Sequence, residues 1–138
     1  MTYNIISTRK ARKPITIKEP GDIVGFLKRY TKSKQEAFLV ITLSGAHEVI
    51  AVHIVTIGLV NKTIIHPREI FIRVIKDNAF SIIIVHNHPS GNCKPSAEDD
   101  EITKNIKEAG ELLGINLLDH LIITKNEFYS FRKSGKLK

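Results

Sequence analysis

Residues 80–85 form a nearly continuous apolar run that ends directly at His86. The run is rich in β-branched side chains, which is typical of a strand covered on both of its faces. After a loop, residues from about Ala97 show helical spacing, and Gly114 is the expected left-handed stop. The apolar stripe of that helix is predicted to consist of Ile102, Ile106, Ala109, Leu112 and Leu113. Such a strand, loop and helix require a buried sheet beside them, and hence an α/β fold.

The other predicted elements supply that sheet and its covering helices. A short helix begins at Pro20 and carries, at helical spacing, Ile23, Val24, Leu27 and Tyr30. Strands at residues 37–43 and 49–55 form a hairpin, and two more strands lie at 117–123 and 128–131. Pro67 starts a helix that ends at Asn78, and its shared face holds Ile70, Phe71, Val74 and Ile75. This order predicts an α/β fold, with a mixed β-sheet and helices on both faces.

The composition fits one globular domain. The chain has 138 residues, of which 42% are hydrophobic, and this is enough for one core and too little for a second. No segment approaches the ~20 apolar residues of a membrane span, and the basic N-terminus lacks the apolar stretch of a secretory signal. We therefore expect a cytoplasmic protein without membrane contact. The single cysteine, Cys93, cannot form an internal disulfide, which agrees with a reducing compartment.

The net charge of +7 comes entirely from the N-terminal quarter. Residues 1–34 hold nine Lys or Arg against two acidic residues, whereas residues 35–138 hold twelve of each sign. DNA could bind through residues 9–34, because such a segment suits a phosphate backbone or an acidic partner. No nucleic-acid motif accompanies these charges, so we favour a solvated basic arm at residues 1–19, with an edge strand as the alternative, and a basic tail at 133–138.

The loop after the central strand carries a candidate metal site. His86 and His88 are two residues apart, so both imidazoles project to the same side if the strand geometry continues through Asn87. Ser96 and Asp99 lie three apart in the first turn of the following helix, at the carboxyl edge of a strand. Two imidazoles and a carboxylate suit zinc and leave a fourth position for water. The alternative to a metal site is a structural role for all four residues. Ser96 with an acid three residues later is also a capping box, and a His-x-His pair at a strand end is often structural.

The spacing His86-x-His88, seven residues, Ser96, two residues, Asp99 resembles the signature of the JAMM (MPN-type) zinc metallopeptidases. The form of residues 86–91 is similar to that of the bacterial RadC family. The resemblance extends to residues 66–69, 118–120 and 129–131, and so covers roughly residues 20–132. It implies a JAMM/MPN domain with the three-layer architecture of cytidine deaminases. It also implies one zinc ion per chain, held by His86, His88 and Asp99.

The same resemblance implies the catalytic residues. Ser96 matches a serine that helps to stabilise the tetrahedral intermediate, and Glu36 matches a glutamate on an early strand that acts as the general base. Nothing in the local sequence selects Glu36 over Glu48 or Glu69, so only the resemblance assigns this role. Beside a metal that lowers the pKa of water to about 7, Glu36 could take a proton, pass it to a leaving amine and so run amide hydrolysis.

Two features depart from the family pattern. Full-length RadC proteins carry an N-terminal helix-hairpin-helix region, and this sequence begins almost at the zinc domain, so we expect a short form. Cys93 stands where relatives more often have a proline or an acidic residue; we expect a free surface thiol, with a fourth zinc ligand as the alternative. His120 is expected next to the ligand set or at the edge of the core. We expect His66 to cap a helix, and His47 and His53 to be ordinary turn or strand residues.

Three functions of different classes follow from these features. A zinc hydrolase that cuts a peptide or isopeptide bond is favoured, because ligands, base and serine are all present. A zinc-bearing interaction module without turnover and a DNA-repair-associated protein are the alternatives, and the latter rests only on the basic arm. A zinc nucleobase deaminase is excluded, because it needs His-x-Glu and Pro-Cys-x-x-Cys and the chain has a single cysteine. The expected partner is a peptide or protein substrate, and a homodimer stays open.

Overall fold

The computed structural model describes residues 3–7, 15–28, 34–58 and 65–138. Within them, the chain forms six strands, which are β1 (Tyr3–Ser7), β2 (Glu36–Leu43), β3 (Val49–Gly58), β4 (Ser81–Asn87), β5 (Asn116–Ile123) and β6 (Phe128–Ser130). The described helices are α1 (Pro20–Phe26), α2 (Pro67–Lys76) and α3 (Ala97–Leu113). From Pro20 onward, the elements follow the order that the sequence pattern predicts.

The described strands join in one mixed sheet in the order β1-β3-β2-β4-β5-β6. β4 and β5 are parallel and are connected through α3, whereas the other neighbouring strands are antiparallel. This confirms the predicted mixed α/β sheet, with the apolar run at its centre. β1 lies at an edge, which was one of the two interpretations of the first residues. The basic residues at 9–13 lie outside the part of the chain that the structure describes.

The alternation of side chains along β4 explains why its sequence is apolar throughout. Ile82 and Ile84 point to the face of the sheet on which α2 and α3 pack, which we call the α2/α3 face. Ile83 and Val85 point to the opposite face, where α1 packs. Burial of each such side chain contributes about 1.5–3 kcal/mol. Cover on both sides therefore holds β4 at the centre, and the predicted helices on both faces are confirmed.

The short helix α1 covers the second face with few residues. It begins at Pro20 as predicted, and Glu19 and Asp22 form a capping box at its start. Ile23 and Leu27 are completely buried in the cluster on this face. Tyr30, which was also assigned to this helix, lies outside the described residues. Helical spacing therefore identified the buried side of α1 correctly over the residues that can be compared.

Three residues that helical spacing assigned to the core are exposed instead. Ile75 is 59% exposed, Leu112 88% and Leu113 49%. Ile75 lies about 100° around α2 from the buried Val74, which places it at the edge of the covered side. In α3 the buried stripe runs to Gly110, and Leu112 lies about 200° from that residue. The prediction was wrong here because an apolar stripe can be wider than the surface that the sheet covers.

The C-terminal end of α3 is fixed tightly against the strand that follows it. Gly114 has φ = +74° and ends the helix as predicted. Gly110, four residues earlier, lies so close to the backbone of Ile115 that a Cβ atom would meet its carbonyl oxygen at 2.4 Å. Only glycine permits this approach. With this end anchored at the start of β5, the first turn of α3 stays beside the end of β4.

Candidate metal centre

The two histidines of the loop lie at the end of β4 on the α2/α3 face. His86 is paired across the sheet with Phe38, whose ring stacks on the imidazole with centroids 5.9 Å apart. The N–H of His88 donates to the carbonyl oxygen of Ile123 at 2.9 Å, so the backbone stays extended beyond β4. As a result, the Nε2 atoms of His86 and His88 lie 2.9 Å apart. This is the same-side placement that the spacing predicts.

The loop between β4 and α3 orients the second histidine. The N–H of Gly91 donates to the carbonyl oxygen of His88 at 3.1 Å, and Gly91 has φ = +89°, a left-handed conformation that glycine adopts without strain. The Nδ1 atom of His88 lies 2.8 Å from the carbonyl oxygen of Asn92. Because a carbonyl oxygen can only accept, Nδ1 carries the proton, and Nε2 of the neutral ring carries a lone pair.

Asp99 contributes the third candidate ligand from the first turn of α3. Its carboxylate oxygens lie 3.2 Å from Nε2 of His86 and 3.6 Å from Nε2 of His88. One ligand atom from each of the three residues lies within 4.8 Å of the other two. Asp99 is completely buried and His86 is 1% exposed. The fold thus brings together three residues that could hold a metal ion.

Ser96 and Asp99 also form the capping box that was the alternative interpretation of their spacing. Oγ of Ser96 accepts the N–H of Asp99 at 3.1 Å, and Oδ2 of Asp99 accepts the N–H of Ser96 at 2.8 Å. The two interpretations do not exclude each other, because the same carboxylate caps α3 and faces both histidines. Ser96 is exposed at this point, and its hydroxyl group retains a proton to donate. Its role with an oxyanion stays a prediction.

Asp99 is an anion in these surroundings. Burial by itself would raise the pKa of its carboxyl group. Hydrogen bonds with His86 and His88, the charge interaction with His86 and the N–H of Ser96 outweigh burial and hold the pKa of Asp99 well below its usual range. A carboxyl group binds a metal ion in its charged form, so the carboxylate is already in the state that a ligand requires.

The donor atoms fit a divalent cation. The lone pair of His88 and the charge of Asp99 lie close to Nε2 of His86, and such electron-rich atoms repel one another unless a proton or a cation lies among them. Imidazole nitrogens and a carboxylate oxygen are the ligands that catalytic zinc sites use. The arrangement therefore suits a zinc ion, which would take the place of such a proton.

A buried histidine and a threonine support the cluster from behind. Nδ1 of His86 lies 2.9 Å from Nε2 of His120, and Nδ1 of His120 lies 2.6 Å from Oγ1 of Thr103. Phe131 stacks on His120 with ring centroids 4.5 Å apart. His120 thus lies next to the ligand atoms, where we expected it. The sequence reasoning missed Thr103, although it follows Asp99 by one helical turn, and that spacing is the signal that could have found it.

Glu36, the predicted general base, lies at the same edge of the sheet. In the β2–β4 ladder, Phe38 is opposite His86. Glu36 precedes Phe38 by two residues and His88 follows His86 by two, so alternation places Glu36 on the α2/α3 face, level with His88. Its side chain is half-buried. This location agrees with the predicted role of Glu36, which itself stays a prediction.

Asn87, the residue between the two histidines, holds the backbone on both sides of Glu36. Its Oδ1 atom accepts the N–H of Ala37 at 2.7 Å, and its Nδ2 atom donates to the carbonyl oxygen of Gln35 at 2.9 Å. Asn87 is 1% exposed. The sequence reasoning treated Asn87 as a spacer, because its partners lie about fifty residues earlier and no local pattern reveals them.

Cys93 lies in the loop but outside the cluster of ligand atoms. Its thiol donates to Oε1 of Glu127 at 3.2 Å, and its side chain packs against the core of the α2/α3 face. Burial raises the pKa of the Cys93 thiol, and the contact with Glu127 raises it further. Since a thiolate is the form that binds metals, these contacts favour the free thiol over the fourth-ligand alternative.

The remaining histidines differ in their surroundings. His47 lies in the turn between β2 and β3 with φ = +59°, and His66 occupies the N-cap position of α2 without a side-chain capping hydrogen bond. His53 is buried, and its Nε2 atom lies 2.6 Å from Oδ2 of Asp77, which also accepts the hydroxyl of Thr42 at 2.7 Å. The expectation that His53 is an ordinary strand residue missed this polar cluster.

Comparison with known proteins gives a consistent family assignment. A protein-family model described as RadC-like JAB domain matches residues 17–136. A UPF0758 protein from Methanospirillum hungatei JF-1 is 46% identical over 136 residues, which cover 97% of this chain and 60% of that relative. UPF0758 proteins from Alkaliphilus metalliredigens and Clostridium novyi are each 46% identical over 122 residues, or 88% of this chain.

The match is to a part of these relatives. The chain covers 53% of the Alkaliphilus protein and 54% of the Clostridium protein, so it spans about half the length of these curated relatives. The names of the relatives state no activity.

In the parts of the chain that the structure describes, every helix is too short or too polar to cross a membrane.

Proposed function

Because the chain belongs to the RadC-like JAB domain family, we propose that it is a zinc-dependent hydrolase of the JAMM metallopeptidase type that cleaves a peptide or isopeptide bond. The observation that carries the proposal is the convergence of ligand atoms from His86, His88 and Asp99 within 4.8 Å of one another. Two imidazole Nε2 atoms 2.9 Å apart beside a buried carboxylate are also the ligand types that catalytic zinc sites use.

His86, His88 and Asp99 would hold one zinc ion per chain. When bound, zinc polarises a carbonyl group and lowers the pKa of water to about 7. Asp99 is the only charged residue of the three, so the protein only partly neutralises a divalent cation. The stacked ring of Phe38 and the burial of His86 exclude solvent from one side of the centre, which strengthens its electrostatic interactions.

Glu36 and Ser96 would carry the proton transfer and the oxyanion contact. Glu36 would accept a proton from the attacking water and deliver it to the leaving amine nitrogen as the C–O bond forms and the C–N bond breaks. The hydroxyl of Ser96 would donate a hydrogen bond to the carbonyl oxygen as it gains negative charge. The position of Glu36 level with His88 and the exposure of Ser96 support these roles.

Metal content tests the centre directly. The purified protein should bind about one zinc ion per chain, and His88→Ala should lose it. His66→Ala is the matched control, because His66 is an exposed histidine whose side chain makes no capping hydrogen bond. Metal analysis after dialysis against a weak chelator measures all three proteins. Full zinc occupancy in His88→Ala would show that the proposed ligand set is wrong.

Hydrolysis tests the enzyme against the interaction module. A library of peptides and isopeptide-linked peptides would be profiled with the wild type and with Glu36→Gln, which should keep its zinc and lose turnover. Glu98→Gln is the control, because Glu98 is exposed in the first turn of α3. If Glu36→Gln were as active as the wild type, the general base would lie elsewhere. If zinc-loaded wild type cleaved no substrate, the non-catalytic module would be favoured.

A DNA-associated role is the second candidate, and the basic excess of residues 1–34 favours it. Replacing the basic residues at 9–13 with glutamine is a better test than deletion, because β1 contributes to the sheet. Binding to duplex DNA should weaken as salt rises and should be lost in this variant. DNA binding that is unchanged in this variant would show that the basic arm does not bind DNA. The cytoplasmic location stays a prediction.

A further inference from the structure

His86 belongs to a buried chain of contacts that returns to the helix carrying Asp99. Nδ1 of His86 lies 2.9 Å from Nε2 of His120, and Nδ1 of His120 lies 2.6 Å from Oγ1 of Thr103. The Thr103 hydroxyl lies 2.7 Å from the backbone carbonyl oxygen of Asp99. All four residues are buried. These contacts thus connect His86 and Asp99, two of the three candidate ligands, through buried groups alone.

The direction of each hydrogen bond follows from the last acceptor. The carbonyl oxygen of Asp99 can only accept, so the single hydroxyl proton of Thr103 points to it. Oγ1 of Thr103 then accepts from His120, which places the proton of His120 on Nδ1. In a neutral ring Nε2 of His120 must therefore accept, and the proton that it accepts lies on Nδ1 of His86. In a neutral His86 ring, the lone pair then lies on Nε2, the atom that faces Asp99 and His88.

We propose that His120 and Thr103 are positioning residues that hold His86 in the tautomer and ring orientation that metal binding requires. The inference rests on the proposed metal centre and deepens it. A ligating histidine usually donates its second N–H to a carboxylate, a carbonyl or water. Here the acceptor is an imidazole nitrogen and not a carboxylate, so the negative charge of the ligand set depends on Asp99 alone.

The ring of His120 is fixed from several sides. Phe131 stacks on it nearly parallel, with an interplanar angle of 6°. The backbone N–H of His120 donates to Oδ1 of Asp119 at 2.8 Å, and its carbonyl oxygen accepts the N–H of Phe131 at 3.1 Å. His120 is completely buried. A ring held in this way can orient His86 without moving when a ligand binds.

Zinc affinity measured by chelator competition tests the role of His120. His120→Leu removes the acceptor, and we expect zinc to bind about 10–100-fold more weakly, the range found for residues that orient a ligand. His120→Gln offers an oxygen in place of Nε2 and should recover most of the affinity. Wild-type affinity in His120→Leu would overturn the inference, and so would equal losses in both variants, because a role in packing alone gives that result.

Thr103 provides a milder version of the same test. Thr103→Val keeps the shape of the side chain but removes the hydroxyl that accepts from His120 and donates to Asp99, so zinc affinity should fall. Thr103→Ser keeps the hydroxyl and should bind zinc like the wild type. This pair serves even if His120→Leu does not fold. Equal affinities in Thr103→Val and Thr103→Ser would overturn the proposed role of the hydroxyl.

The tautomers can be observed in the unmodified protein. In metal-free wild type, ¹⁵N-resolved NMR of the histidine rings should find the proton of His120 on Nδ1 and that of His86 on Nδ1. A His86 or His120 ring without a proton on Nδ1 would overturn the inference. Because this measurement needs no metal, it also separates the two proposals. A wild type that binds no zinc would refute the metal centre, and the tautomers would still decide whether His120 orients His86.

Discussion

Two clusters of histidine and aspartate lie on the same face of the sheet, and their polar atoms are arranged in different ways. His53 and Asp77 are paired at 2.6 Å, and the Thr42 hydroxyl donates to the same carboxylate oxygen at 2.7 Å. At the candidate metal centre, two imidazoles face the Asp99 carboxylate at 3.2 Å and 3.6 Å. The first cluster is a closed hydrogen-bonded network. The second places three ligand atoms around one point.

The helices contribute opposite ends to the two clusters. Asp99 lies in the first turn of α3, where the helix dipole and the backbone N–H groups favour a negative charge. Asp77 is the C-cap of α2, where the same dipole disfavours one. Asp77 therefore needs the donors that His53 and Thr42 supply. Asp99 is stabilised by its own helix and can face an external cation, so helix polarity separates a structural pair from a ligand set.

Replacing each aspartate with asparagine tests this contrast most strongly. Asp99→Asn removes the anionic ligand, and zinc affinity should fall by more than about 100-fold, beyond the range of residues that only orient ligands. Asp77→Asn should leave zinc affinity unchanged and should lower the free energy of unfolding by about 1–3 kcal/mol, because the charged acceptor of His53 and Thr42 becomes a neutral amide oxygen. Chelator competition and urea unfolding measure the two quantities. Equal losses of zinc affinity in the two variants would show that Asp99 is no more a metal ligand than Asp77.

The metal centre also differs from the closed pair in having an acidic residue held beside it. Asn87→Ala releases the backbone on both sides of Glu36, while the ligands stay in place. We expect zinc content to be unchanged and hydrolysis to slow by about 10–100-fold, because small misplacements of a catalytic group have effects of that size. Asn126→Ala, in an exposed turn, is the control. Full activity in Asn87→Ala would show that Glu36 needs no such support.

The attachment of α3 can be weakened without touching a ligand. Gly110→Ala would bring a Cβ atom to 2.4 Å from the carbonyl oxygen of Ile115, and we expect a loss of about 1–3 kcal/mol in the free energy of unfolding. Gly25→Ala in α1 meets no atom within 4 Å and should stabilise the protein by about 0.5–1 kcal/mol. Urea unfolding compares the variants. If Gly110→Ala left the free energy of unfolding unchanged, α3 could shift away from β5 at little cost.

Asp119 on β5 is a third buried carboxyl group, and its pH dependence has the opposite sign to that of Asp99. Burial raises the pKa of Asp119, and hydrogen bonds from Ser130, Arg132 and His120 offset this only in part. Its stabilising contribution is full below the unfolded pKa of about 3.9 and is lost as pH rises through the folded pKa. The contribution of Asp99, whose pKa is lowered, is present above about pH 4 and is lost at lower pH.

Unfolding in urea between pH 3 and pH 7 with chelator present would detect this difference. Asp119→Asn should flatten the decline in stability on the alkaline side of this range, and Asp99→Asn should flatten the decline on the acidic side. We expect these changes of slope to be the smallest effects of those described. If both variants changed the slope of stability against pH in the same direction, the pKa values of the two carboxyl groups would not be shifted in opposite directions.

Much of the fold could be predicted because local patterns control it. The run of residues 80–85 became the central strand, and Ser96 and Gly114 mark the ends of α3. Caps act through atoms within one turn of the helix, so the residues at each end are sufficient to locate them. The exposed Ile75 and Leu112 show where this reasoning stops, because spacing cannot reveal how wide a surface the sheet covers.

The candidate ligands were predictable for the same reason, and the base was not. His86 and His88 share a side through strand alternation, and Asp99 faces them because its helix begins at Ser96. Glu36 has no local feature that separates it from other glutamates, and only the family resemblance indicated it. Its support by Asn87 depends on a contact between residues fifty positions apart.

The central strand, the histidine pair and the first turn of α3 could all be read from the chain, since alternation and capping depend on neighbours in sequence. Only the tertiary structure shows that His53 is paired with Asp77, because the two residues lie on different elements. It also brings His120 and Thr103 behind His86. These contacts depend on which strands are adjacent and which end of each helix meets the sheet, and no short stretch of sequence carries that information.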